Sequence, residues 1–281
     1  MLIEYQEIFL GSECNNHCVH CKYPSGKKIP YEQICEKINN TKDVHNVLLY
    51  GGEPLLRVDI LDFINRLGGK RIKIVTNGRL LSYDKVVENL IKHNALIYEI
   101  KIFGSDNLTH DSETRVKNSY QQMLHGIKNI RKITYFEGRK LRPFIILRNM
   151  INKNNYLQLE EITRIAKNLD VDRLVLELND TNLDLNALWL NVKKAIDSSM
   201  INRIWCHTLN IPLCIGNEYE YHITELFQKS PKNYGYLDFC SECIFMNICP
   251  GIRTELITGG LRLNPILKNN KIDEIINMRS I

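Results

Sequence analysis

The sequence predicts an α/β protein: a parallel sheet covered by helices, followed by a small cysteine-rich extension. Three observations predict it. Short apolar runs alternate with helix-spaced segments through the first two-thirds of the chain. Cysteine-, glycine- and asparagine-bearing turns fall directly after the first three of those runs. Near residue 200 the rhythm stops, and five of the nine cysteines follow.

Ile3–Leu10 reads as the first strand, and a cysteine-bearing loop follows it. Pro30 suits the first turn of a helix, whose apolar face carries Ile34, Cys35 and Ile38. Val44–Tyr50 is the second strand and Leu56–Leu67 its helix; Arg71–Thr76 is the third strand. Ser82 is the expected N-cap of a helix with Val86, Val87, Leu90 and Ile91 on one side. Leu96–Phe103 is the fourth strand, followed by a longer loop through His110 and Asp111 and a helix around Met123–Ile133. Pro143–Ile151, Tyr156–Leu169 and Arg173–Leu178 give the fifth strand, its helix and the sixth strand. Asn186–Met200 reads as a connecting helix, and Lys271–Met278 as a short tail helix. Six such units imply a parallel sheet with helices outside, which right-handed crossovers curl toward a barrel. In such folds functional groups sit on loops at the carboxyl ends of strands.

Three of those strand ends carry the informative motifs. The first is Cys14-Asn-Asn-His-Cys18-Val-His-Cys21, three thiols within one loop. Iron–sulfur clusters are normally held by four cysteines, so three leave one iron of a four-iron cubane open to another ligand. Cys18 and Cys21, with His17 and His20 nearby, also suit a zinc knuckle. The second motif is Gly51-Gly52-Glu53-Pro54, where missing side chains let the backbone approach a ligand; an ordinary turn has the same composition. The third is Thr76-Asn77-Gly78, weak by itself.

The spacing C-x3-C-x2-C, followed one βα unit later by GGEP and then by Thr-Asn-Gly, resembles the radical S-adenosylmethionine (radical SAM) enzymes. The resemblance covers about residues 1–180 and implies a partial (β/α)6 TIM-like barrel. It implies a [4Fe–4S] cluster on Cys14, Cys18 and Cys21 whose open iron chelates the amino and carboxylate groups of SAM. Gly51, Gly52 and Glu53 are then expected at the SAM amino group, Asn77 at the third strand end, and His20 against adenine in place of the family's usual Tyr or Phe. Ser105, Arg148 and Asn179 stand at later strand ends as further SAM contacts, though strand-end polarity explains each of them as well. His110-Asp111 resembles a dipeptide of many related sequences; a loop turn accounts for Asp111 equally.

Cys240-Ser-Glu-Cys243-Ile-Phe-Met-Asn-Ile-Cys249 resembles the SPASM and twitch extensions of the same family, which carry auxiliary clusters. Arg253 and Tyr221 stand where a full SPASM pattern has cysteines, so the resemblance implies one auxiliary [4Fe–4S] cluster. Its expected ligands are Cys214, Cys240, Cys243 and Cys249, with Cys206 as substitute. Four thiolates also suit structural zinc, and spacing does not separate the two. Cys35, isolated on a helix face, is expected to be a small hydrophobe. The organisation expected is a core over 1–180, a connecting helix over 181–200 and the extension over 201–281.

At 281 residues the chain can hold one large domain and a small one, with 44% hydrophobic and 25% charged residues, as in ordinary globular proteins. No apolar run approaches the roughly 20 residues a membrane helix needs. With no secretion signal at Met1, clustered C-x2-C cysteines point to metal in a reducing, cytoplasmic compartment. The net charge of +5 is spread along the chain and identifies no nucleic-acid surface. The resemblance implies an electron from a donor such as flavodoxin or ferredoxin, cleavage of SAM to a 5′-deoxyadenosyl radical, and hydrogen abstraction from a peptide or protein. A twitch-type small-molecule dehydrogenase is the alternative, and a non-catalytic zinc module the remote one.

Overall fold

The computed structural model describes residues 4–21, 23, 26–133, 135–136, 138–180, 183–227, 233–255, 263–268, 272 and 275. Seven strands form one sheet in sequence order: β1 (Gln6–Phe9), β2 (Asn46–Tyr50), β3 (Arg71–Thr76), β4 (Ile97–Ile102), β5 (Phe144–Ile151), β6 (Arg173–Leu178) and β7 (Trp205–Leu209). β1 to β5 pair in parallel. Between them run α1 (Tyr31–Asn39), α2 (Ile60–Arg66), α3 (Asp84–Lys92), α4 (Asn107–Thr114), α5 (Ser119–Lys132), α6 (Leu159–Asn168) and α7 (Leu185–Ile201).

The period of two explains the strands. Ile72, Ile74, Tyr98, Ile100, Ile145 and Leu147 are buried on one face of β3–β5. The alternate positions carry Lys73, Glu99, Lys101 and Arg148. Each fully buried aliphatic contributes roughly 1.5–3 kcal/mol, so a one-residue slip of register is strongly opposed.

The chain divides into two compact units, Ile3–Asn149 with Arg164–Arg173, and Met1–Leu2 with Met150–Thr163 and Leu174–Ile281. In the second, Leu213, Ile223, Leu226, Phe245, Ile266 and Ile275 form a buried cluster, with Cys214, Cys243 and Cys249 packed against it. Tyr234–Gly235 pairs antiparallel with Ile252–Arg253 beside them. No helix among the described residues is long and apolar enough to cross a membrane.

The elements depart from the sequence expectation in several places. The helix expected over Leu56–Leu67 is a 3-10 turn, Pro54–Leu56, and then α2. Ser82 ends a second such turn, its hydroxyl donating to the Arg79 carbonyl at 2.7 Å, and Tyr83 is the residue that caps α3. The His110 loop is helix α4, and α5 begins at Ser119, before Met123. The βα rhythm continues past residue 200 through α7 into β7. Cys35 is half-buried instead of fully packed. Most of the expected tail helix lies outside the described residues.

Candidate active site on the cysteine loop

β1 delivers the chain into a loop that is pinned from four sides, all within the first unit. At its neck Gly11 bridges to Lys28, and the Ser12 N–H donates to the Lys27 carbonyl at 2.7 Å. At the end of β2 the Gly52 N–H donates to the Gly11 carbonyl (2.9 Å) and the Glu53 N–H to that of Glu13 (2.8 Å). At the end of β3 the Asn77 amide donates to Asn15 Oδ1 at 2.7 Å and lies 3.8 Å from Cys14 Sγ. At the C-terminal end of α4 the Thr114 and Glu113 carbonyls accept the N–H groups of His17 and Val19, both at 2.9 Å.

The GGEP segment therefore has a local role. A Cβ on Gly51 would stand 2.2 Å from the Gly11 oxygen, and one on Gly52 would stand 2.3 Å from the Glu13 oxygen. The close approach these glycines permit is to the cysteine loop itself. Glu53 is 2% exposed, and its carboxylate accepts from Leu55 N–H (2.9 Å), Asn77 N–H (2.7 Å) and the Thr76 hydroxyl (2.8 Å). It ties the β2 end to the β3 end. Burial pushes its carboxyl above the ordinary range, against the pull of these donors and of Lys101.

Cys14 and Cys18 are half-buried and Cys21 is exposed. Burial, and then the proximity of Cys14 and Cys21, pushes the Cys18 thiol up to about 11. Burial likewise raises Cys14. Metal binding requires thiolates, so loading this loop releases protons. Three soft sulfur donors presented by one loop fit an iron–sulfur cluster.

The remaining candidates divide. His17 and His20 are exposed on the loop. Arg148 Nη1 lies 2.7 Å from Glu99, which also takes Lys73 Nζ at 3.0 Å. Burial would raise Glu99, but Arg148 and Lys73 together bring it down to about 2. The Ser105 carbonyl accepts the Tyr120 hydroxyl at 2.7 Å. Asn179 lies in the second unit, its N–H on the Ile151 carbonyl at 3.1 Å. His110 is packed between Phe103 and Tyr120, and burial pushes it down to about 4. Its Nδ1 accepts the Phe103 N–H at 3.3 Å, the geometry of a neutral ring. The Asp111 carboxylate accepts from Asn118 N–H, Tyr120 N–H and the Ser119 hydroxyl, which caps α5.

Sequence reasoning missed two arginines. Arg79 donates to the Asn15 carbonyl, to Asn16 Oδ1 (2.9 Å) and to Gln122 (2.6 Å). Arg57 is buried and donates to the Leu10 and Ile29 carbonyls at 3.0 and 2.9 Å. Neither contact with the loop has a local signal, because the loop partners are far away in sequence.

In the second unit Cys214, Cys240, Cys243 and Cys249 line one pocket, with Leu213, Phe239, Met246 and Ile266 among its walls. Burial, then Cys249, Cys240 and Cys243, pushes Cys214 up to about 12. Leu237 N–H donates to Cys240 Sγ and Gly251 N–H to Cys249 Sγ, each at 3.4 Å. Such donors tune iron–sulfur centres, and the all-thiol set fits one. Cys206 is instead buried in β7, beside Ser199, and does not line the pocket. Among the described residues no three His, Cys, Asp or Glu side chains converge to hold a single metal ion.

The chain is similar to several known proteins. The family model described as "Radical SAM superfamily" matches residues 8–149. The chain is 32% identical over 173 residues to the AdoMet-dependent heme synthase of Methanosarcina barkeri, covering 57% of this chain and 46% of that protein. It is 25% identical over 251 residues to the GTP 3′,8-cyclase of Limosilactobacillus fermentum, covering 83% and 68%. Among solved structures, Streptococcus suis SuiB bound to S-adenosylmethionine superposes with a TM-score of 0.59 at 17% identity, covering 80% of this chain and 50% of that one. The chain thus spans about half the length of SuiB and of the heme synthase. The loop bearing Cys14, Cys18 and Cys21, held by the ends of the next two strands, lies inside the matched span, and the chain belongs to the radical SAM superfamily.

Proposed function

We propose that this protein cleaves SAM reductively and abstracts hydrogen from a peptide or protein substrate, with an auxiliary [4Fe–4S] cluster in its second unit. The observation that carries the reading is the convergence of the β2 and β3 ends on the loop bearing Cys14, Cys18 and Cys21. When bound, the cluster supplies one electron to SAM, which splits into methionine and a 5′-deoxyadenosyl radical. The chain's own residues do the rest. Cys14, Cys18 and Cys21 would hold the cluster through three thiolates, leaving it open to SAM. Gly51, Gly52 and Glu53 fix the loop from the β2 end, and Asn77 from the β3 end. His20, exposed on the loop, is assigned to adenine, while Ser105, in the turn after β4, and Arg148, on β5 and paired with Glu99, are assigned to the rest of SAM. The electron comes from a flavodoxin or ferredoxin, and clustered cysteines of metal-binding spacing suit a reducing, cytoplasmic compartment.

The peptide reading is supported by SuiB, solved also with its precursor peptide SuiA, whose likeness covers 72% of this chain in that complex. A small-molecule substrate is the second reading, favoured by the names of the heme synthase and the cyclase. Anaerobic incubation with SAM and dithionite tests the shared chemistry. Formation of 5′-deoxyadenosine is expected; its absence from protein carrying full iron and sulfide would contradict the proposal. Substrate class is tested by which candidate raises the rate of that product, a short precursor peptide or a tetrapyrrole or nucleotide.

Cys243→Ala tests the auxiliary site. Loaded protein is expected to lose about half of its roughly eight irons, while SAM cleavage without substrate persists. An unchanged iron content would contradict a cluster on the four C-terminal cysteines. Zinc at one per chain, with iron only at the N-terminal loop, would replace it by a structural ion.

A further inference from the structure

We propose that Arg57 is a positioning residue which closes the neck of the cysteine loop, so that the three thiols stand in place before any cluster is built. The inference rests on the radical SAM reading of that loop, and concerns how the loop reaches its working shape.

The guanidinium lies between the two stems of the loop. Its Nη1 donates both protons, one to the carbonyl of Leu10 where the chain leaves β1 (3.0 Å) and one to the carbonyl of Ile29 where it enters α1 (2.9 Å). Nε and Nη2 form a fork on the two Asp59 oxygens, each at 2.7 Å. The Phe63 ring lies under the group at 5.2 Å. Four donated hydrogen bonds and a ring fix one planar group; Arg57, Leu10 and Ile29 are buried, and Asp59 is partly exposed. Without it two stem carbonyls lose their donor inside the protein, and an unpaired buried carbonyl is costly. The Ser12–Lys27 contacts close the same neck from the loop side, and Arg79 grips Asn15 and Asn16 between the first two cysteines. A loop tied at its neck and shoulder does not need iron to bring its ends together. Lysine cannot replace the fork, because it lacks the planar geometry that reaches two carbonyls and a carboxylate together.

The test uses apoprotein, so failure of the radical SAM reading leaves it intact. Trypsin sites at Lys27 and Lys28 lie at the neck of the loop, and Lys128 and Arg131 in α5 serve as reference sites. Wild-type apoprotein, Arg57→Gln, Arg57→Lys, Asp59→Asn and a surface control, Arg66→Ala, are digested and cleavage at each site is timed. Arg57→Gln is expected to raise loop cleavage at least tenfold relative to α5 cleavage, with Arg57→Lys and Asp59→Asn between it and wild type. After reconstitution with iron and sulfide, Arg57→Gln is expected to retain fewer irons, with the loss confined to the N-terminal cluster signal. Loop and α5 cleavage rising together would show general loosening and overturn the proposal. Loop cleavage within twofold of wild type would overturn it as well. Should Arg57→Gln not fold, the Arg57→Lys variant, whose single ammonium lacks the planar fork that spans both stem carbonyls and Asp59, decides by the same ratio.

Discussion

Cys18→Ala is expected to reduce 5′-deoxyadenosine formation to the level of a protein-free control while the chain remains folded. The middle thiol of the loop is half-buried, and its loss leaves Cys14 and Cys21 as the only sulfur donors there. Two thiolates do not hold a four-iron cluster that normally takes four protein ligands and would have three on this loop. The fold is carried elsewhere, by the buried layer of Ile74, Tyr98, Ile100 and Leu147 across β3–β5. Deleting one half-buried sulfur costs about 1 kcal/mol or less by comparison with small core truncations. Circular dichroism is therefore expected to match wild type, whereas the visible absorbance of the N-terminal cluster disappears. Normal turnover by this variant would show that the site has been placed on the wrong loop.

Gly52→Ala is expected to do nearly as much damage without removing any ligand. The new methyl would stand 2.3 Å from the Glu13 carbonyl oxygen and 2.6 Å from that of Ser12, both backbone atoms that cannot swing aside. Relief requires the cysteine loop to move off the end of β2, which breaks the Gly52–Gly11 and Glu53–Glu13 hydrogen bonds. Overpacking of this kind costs typically 1–3 kcal/mol. Displaced supporting residues around a metal centre commonly cost about 10–100-fold in affinity or activity. Iron retained after gel filtration and the rate of SAM cleavage are expected to fall together by about that factor. Iron binding and rate equal to wild type would contradict the docking of loop on strand end as the feature that organises the site.

What the sequence made legible follows from what is apolar. Arg71–Thr76 and Arg173–Leu178 emerge from the sequence with the bounds the structure gives, because buried aliphatics alternate along them. Helix α4 does not, since its buried residues are His110, Glu113 and Thr114, and polar groups leave no hydrophobic stripe. β7 is hidden for the same reason: its buried positions are Cys206 and Thr208. The cysteine and glycine motifs were visible as letters, but their geometry was not. The glycines could be read as facing a ligand, whereas the space they leave is filled by the backbone of the loop. Arg57 was illegible because a charged residue is normally assigned to the surface. Its partners Leu10 and Ile29 lie 47 and 28 residues away in sequence. At the C-terminal end the family resemblance implied four cysteines and one substitute. The structure gathers Cys214, Cys240, Cys243 and Cys249 around one pocket and leaves Cys206 in the sheet.

Electron paramagnetic resonance of the dithionite-reduced protein, recorded with and without SAM, addresses the open iron most directly. One of the cluster signals is expected to shift when SAM is added, and SAM carrying nitrogen-15 in its amino group is expected to add a hyperfine coupling to that signal alone. Spectra that are identical with and without SAM, with a protein side chain already coordinating the fourth iron, would contradict the account.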